Sequence, residues 1–178
     1  MPEMLSLVQE LGRRIDDELR HCSCAFVPAR RIQFCQEQAS WTEAVSCFRS
    51  IRMDLEEARM CFLFGRFTAC LFHIQRVLES GLRTLAKALN IETEANRSWD
   101  SILKKIDEEI RKPHHQQAPD LRTKAVFYSE AAAMFRAIKT AWRNPTMHVE
   151  NFYDEEKAWD IVTAVRAFLT HLAAGLQE

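Results

Sequence analysis

The chain has 178 residues, with 24 Lys and Arg against 25 Asp and Glu and a formal net charge of −1. This length suits one domain, or one domain with an N-terminal extension, and is enough to bury a full core. The near-zero charge excludes a global field that draws in nucleic acid, so any RNA binding would rest on local patches. Only 4 Gly and 5 Pro are present, which favours helix, and no stretch approaches the roughly 20 apolar residues of a membrane span.

In chain order, Leu5, Val8, Leu11, Ile15 and Leu19 recur at spacings of three and four, which predicts a first helix over 4–19. Its other face carries Arg13, Arg14, Asp16, Asp17 and Glu18, so the expectation is an amphipathic helix laid on a bundle. The opening residues hold Glu3 and Glu10 without a continuous apolar run, so they do not read as an export signal. A cytoplasmic location is expected, with the six cysteines (Cys22, Cys24, Cys35, Cys47, Cys61, Cys70) reduced. His21, Cys22, Cys24 and Cys35 lack the paired spacing of a zinc site, so no metal is expected. Residues 22–38 break the period. Phe26-Val27-Pro28 and Arg30 to Phe34 read as extended, a short hairpin or ordered loop.

The remainder, 41–178, reads as one helical bundle behind an N-terminal segment, 1–40. A second helix is predicted over 41–64, with Val45, Phe48, Ile51, Leu55, Ala58 and Phe62 along one side and Gly65 as its stop. The most apolar helix follows over 67–89. Its stripe of Phe67, Leu71, Ile74, Leu78, Leu82, Leu85 and Leu89 should run through the core. After a polar linker, Ser98 or Asp100 starts a short helix reaching residue 112. His114-His115 lies in a loop between Pro113 and Pro119. That loop is better read as surface than as a metal or RNA site. A long helix is expected over 121–142, with Arg136 and Lys139 extending a positive surface. Asp154 caps the last helix, whose packing face is Trp159, Val162, Val165, Leu169 and Leu172.

One stretch, Ala141-Trp142-Arg143-Asn144-Pro145-Thr146-Met147-His148, crowds a strong base, an amide and an imidazole around a proline. On an unbroken helix Arg143 and His148 would diverge by about 140°. Pro145 removes a backbone donor and disfavours helical geometry at Asn144, so the helix is expected to stop or kink near Trp142. Both side chains could then face one space. Arg matches phosphate oxygens with a planar fork of donors, and His suits proton transfer near neutrality. The same residues also suit a structural role, with Asn144 as an N-cap and Pro145 at the first helical position.

Arg143, four intervening residues and His148, with Asn144 directly after the Arg, resemble the motif of the HEPN superfamily (higher eukaryotes and prokaryotes nucleotide-binding). The surrounding 135–173 and the run 67–83 resemble a bacterial branch of that group, and the similarity covers about residues 41–176. The resemblance implies an all-α antiparallel bundle that dimerises, with both motifs lining one composite cleft. It further implies a metal-independent endoribonuclease without cofactor, often a toxin or phage-defence effector with an antitoxin or regulatory protein as partner. Arg143, Asn144 and His148 would be its catalytic residues, and Glu79 a supporting partner of Arg143 or His148. One toxin branch has a Tyr two residues after the motif His. Here that position is Glu150, so its regulation is not carried over. Two other classes compete: a module that binds a nucleotide or protein through the same residues without turnover, and a purely structural dimerisation bundle.

Overall fold

The computed structural model describes residues 2–22, 25–37, 41–93, 98–117, 119–146 and 151–178. The protein is all-α, and the described residues contain no strand. The helices are α1 (Pro2–Arg20), α2 (Ala29–Glu37), α3 (Thr42–Cys47), α4 (Arg52–Leu63), α5 (Phe67–Ala88), α6 (Trp99–Ile110), α7 (Pro119–Thr123), α8 (Ala125–Ile138), α9 (Asn144–Thr146) and α10 (Glu155–Ala173). Short 3-10 turns occupy Arg49–Ile51 and His114–Gln116, and a π turn fills Lys139–Arg143. No helix among the described residues is long and apolar enough to cross a membrane.

The bundle is built on α5. Of its predicted stripe, Leu71, Ile74, Leu78, Leu82, Leu85 and Leu89 are buried and Phe67 packs at the edge. Gly65 takes φ +71, a conformation that favours glycine, and turns α4 back antiparallel against α5. Tyr153, just before α10, reaches Thr68 at the start of α5, and Leu169 and Leu172 approach Gly81, so α10 runs parallel to α5. Phe135 of α8 also meets Gly81, while Thr146 of α9 is joined through Tyr153 to Thr68 at the start of α5. The α8–α9 rod therefore runs antiparallel to α5. The Ser98 hydroxyl accepts from Ser101 N and caps α6, and Asp154 accepts from Lys157 N and caps α10.

Four expectations need correction. Residues 29–37 form a helix, α2, rather than an extended hairpin. The Pro28 carbonyl accepts from Arg31 N at 2.9 Å, and the neighbours Phe34 and Cys35 are both buried. Phe34 stacks on Phe62 and Trp159, and Arg31 and Arg30 pair with Glu155. The helix predicted over 41–64 breaks at Phe48 (φ −120, ψ 78). There the Cys47 carbonyl accepts from Glu178 N, and the Glu178 carboxylate accepts from Ser50 N. The helix predicted from 121 breaks at Lys124 (φ −122, ψ 32), beside an Asp120 carboxylate that accepts from the buried Tyr128 hydroxyl. Finally, α1 is not laid on the bundle: its apolar side chains are exposed along its whole length.

Asp54 joins α4 to α5. Its Oδ1 lies 2.6 Å from Arg76 Nε and 3.0 Å from His73 Nδ1. Burial would raise this carboxyl's pKa, but the hydrogen bonds from Arg76 and His73 outweigh it and hold it below the ordinary value. Because the folded group is the more acidic, its contribution is present above the unfolded carboxylate range and is lost as pH falls through the folded value. We predict that Asp54→Asn costs about 1 kcal/mol at neutral pH and flattens the fall of Tm below about pH 4. Thermal unfolding at pH 7 and pH 3 measures both.

Candidate functional site

The site is built where the α8 rod reaches Pro145. The helix does not stop at Trp142. Ile138 and Asn144 are both right-handed helical, Asn144 at φ −62, ψ −51, so Asn144 does not cap a new helix either. The chain accommodates the proline by widening. Across Lys139–Arg143 the register shifts to π, and Asn144 N donates to the Lys139 carbonyl five residues back. Pro145 would have clashed with the carbonyl four residues back in an ordinary register. The next turn is closed by a side chain: Thr146, 1% exposed, donates its hydroxyl to the Trp142 carbonyl at 2.7 Å. The same hydroxyl also donates to the Tyr153 hydroxyl at 2.9 Å, so its one proton is shared between two acceptors. Asn151 Nδ2 donates to the Pro145 carbonyl, and Tyr153 N donates to Thr68 Oγ1 on α5. The two sides of the motif are thus tied together and to the core helix.

The rod carries three cations at spacings of three and four: Arg136, Lys139 and Arg143. The expectation of a continuous positive surface does not hold for the first two. Arg136 pairs with Asp107, and Lys139 with Asp100 at 2.5 Å, both carboxylates on α6. Arg143 makes no ion pair among the described residues. Its guanidinium carbon lies 5.7 Å from the centroid of the Trp99 ring, a cation–π distance. Trp99 is 2% exposed and is fixed edge-on to Phe135. Its Nε1 donates to Glu79 Oε2 at 3.4 Å, while Glu79 Oε1 accepts from Arg83 at 2.7 Å. The structure therefore brings Glu79 to Arg143 through the indole between them. His148 lies outside the described residues, as does Glu150. Asn144 is half-buried beside Arg143.

Sequence reasoning missed four contributors. Trp99 was an apolar helix residue, and nothing in its spacing marked it as the seat of an arginine. Thr146 and Tyr153 are seven residues apart in sequence, and their contact exists only in the folded chain. The fourth is Gln75 on α5, 6% exposed, whose amide nitrogen and oxygen have no hydrogen-bond partner among the described residues. Thr68, Gln75 and Glu79 lie on one face of α5 at helical spacing. Thr68 holds Tyr153 and Glu79 holds Trp99, so Gln75 lies between two of the site's anchors.

Other chemistry is weaker. Burial pushes the Cys70 thiol up to about 12 and moves Cys35 and Cys61 upward as well, so none of the three is a thiolate nucleophile near neutrality. His114 and His115 are exposed on a 3-10 turn, and no group of three metal-ligating side chains forms among the described residues. Compared with known proteins, the chain matches no family model, no curated protein and no solved structure.

A buried, unpartnered amide costs about 1–3 kcal/mol. Replacing it by an apolar group of similar size should recover part of that. Gln75→Leu is predicted to stabilise the protein by about 1 kcal/mol in urea unfolding. A loss of stability instead would show that the amide has a buried partner.

Proposed function

We propose that the protein is a metal-independent endoribonuclease of the HEPN type, acting as a homodimer with a composite cleft. The observation that carries this reading is Arg143. Of three cations along one rod it alone has no carboxylate among the described residues, and it is seated over the indole of Trp99. A guanidinium so placed keeps its fork of donors for an anion from outside the fold. The motif resemblance supplies the identity of that anion, an RNA phosphodiester.

In the proposed reaction a ribose 2′-OH attacks the adjacent phosphorus. The bond to the 5′-oxygen breaks, leaving a 2′,3′-cyclic phosphate and a free 5′-OH. His148 removes the 2′-OH proton or protonates the leaving 5′-oxygen, and the partner subunit's His148 takes the opposite role. Arg143 holds the non-bridging oxygens as charge develops on them. Asn144 positions the hydroxyl, and Glu79 steadies Trp99 and through it Arg143. A toxin or phage-defence role, an antitoxin partner and a cytoplasmic location belong to the same proposal. Expression should then slow growth unless a neutralising partner is present.

Purified protein incubated with mixed single-stranded and structured RNA in excess EDTA should release cyclic-phosphate ends. His148→Ala, with helicity and oligomeric state unchanged, should lose roughly 100- to 10,000-fold in rate. Arg143→Ala should lose on the order of 100- to 1,000-fold. Equal cleavage by all three proteins, or loss of wild-type cleavage in EDTA, would overturn the proposal. Mononucleotide binding by the wild type without turnover would replace the enzyme with a binding module.

A further inference from the structure

The chain after Pro145 presents an aromatic ring that its own fold does not use. Phe152 is 85% exposed. A lone hydrophobe in water needs no explanation, but this one is firmly held. On one side, Asn151 Nδ2 donates to the Pro145 carbonyl at 2.9 Å. On the other, Tyr153 N donates to Thr68 Oγ1 at 3.2 Å, and the Tyr153 hydroxyl accepts from Thr146 at 2.9 Å. Both neighbours of Phe152 are therefore tied down, to the α8–α9 rod and to the core helix, while its ring stays in water. Such a ring loses little freedom when a ligand covers it.

The surroundings are cationic. Lys157 is exposed, and its Nζ lies 5.6 Å from the centroid of the Tyr153 ring. It makes no ion pair among the described residues. This repeats the arrangement at Arg143, a cation seated on an aromatic face rather than on a carboxylate. Two carboxylates next to Lys157 in sequence are engaged: Asp154 accepts from Lys157 N, and Glu155 pairs with Arg30 and Arg31. Glu156 is set about 100° around the helix from Lys157. The Tyr153 ring links the two cations. Lys157 lies over it, and its hydroxyl meets Thr146, which also bonds the Trp142 carbonyl beside Arg143.

An exposed, immobilised aromatic with cations on either side is the chemistry of a strand-binding surface. Every base has a π face that can stack on an aromatic ring, and the phosphates beside it take the cations. A base inside a duplex is already stacked on both faces, so the surface selects unpaired strand. A protein partner would cover Phe152 equally well, but it gives no reason for two cations left without carboxylates among the described residues.

We propose that Phe152 is a stacking platform for an unpaired base and Lys157 the contact to an adjoining phosphate, so that the strand delivered to Arg143 is single-stranded RNA. The choice of RNA rests on the nuclease reading; the platform itself takes any single strand.

The test is fluorescence anisotropy with a labelled 2′-O-methyl oligonucleotide of mixed sequence, single-stranded and as a duplex. That backbone has no free 2′-OH to attack, so binding is read apart from cleavage. Wild type should prefer the single strand. Phe152→Ala should weaken single-strand binding about tenfold with helicity retained, and so should Phe152→Leu, which keeps apolar bulk without a π face. Phe152→Trp should bind within about threefold of wild type. Lys157→Gln should lower the slope of log K against log salt by about 0.7, one phosphate contact on a single strand. Equal binding by wild type, Phe152→Ala and Phe152→Leu would overturn the platform and leave the nuclease reading to stand on cleavage in EDTA. A duplex bound as tightly as the single strand would also overturn it. So would a wild type that binds no strand, and Phe152 would then mark a protein contact.

Discussion

A proline inside a helix withdraws one donor and presses on the carbonyl behind it. The way the chain absorbs Pro145 sets the position of everything around Arg143. Ending the helix would leave Arg143 at a free terminus. Instead the register widens to a π turn at Lys139–Arg143, and the rod continues through Thr146. The repair depends on neighbours. The Thr146 hydroxyl satisfies the Trp142 carbonyl, Asn151 satisfies the Pro145 carbonyl, and Tyr153 ties the returning chain to both Thr146 and Thr68. π turns are rare in helices and are frequently found at functional sites.

The charge arrangement follows from this placement. With the rod continuous, α6 lies along it. Asp107 and Asp100 neutralise Arg136 and Lys139, and the N-terminal residue of α6, Trp99, meets Arg143 instead of a carboxylate. An ion pair there would occupy the guanidinium. An indole holds its position and leaves its hydrogen-bond donors free. Glu79 restrains the indole from the core helix, so a residue singled out by resemblance is linked to Arg143 by contacts rather than by a direct bond.

Much of the fold was legible where period and local chemistry agree. The α5 stripe, the Ser98 and Asp154 caps and the Gly65 stop are local signals, and each is where the sequence puts it. What escaped was set by distant partners. The break at Phe48 is stabilised by Glu178 from the far end of the chain. The helix at α2 is fixed by Phe34 packing on Phe62 and Trp159, and its short length left the period ambiguous. The local bias against helix at Asn144 was real, but a π turn and a threonine hydroxyl overrode it. At the candidate site, Arg143 and Asn144 were marked in the sequence by their setting beside Pro145. Trp99, Thr146 and Tyr153 were not, because each acts through a contact made only in the folded chain.

The central claim is that Arg143 holds a phosphodiester while a neighbouring 2′-OH attacks it. The most direct measurement uses one RNA that the protein cuts, resynthesised with a single 2′-deoxynucleotide on the 5′ side of the cut linkage. The account predicts that cleavage at that linkage disappears while other cut sites in the same strand persist. Continued cleavage at the deoxy linkage would contradict it, because no internal nucleophile would remain there.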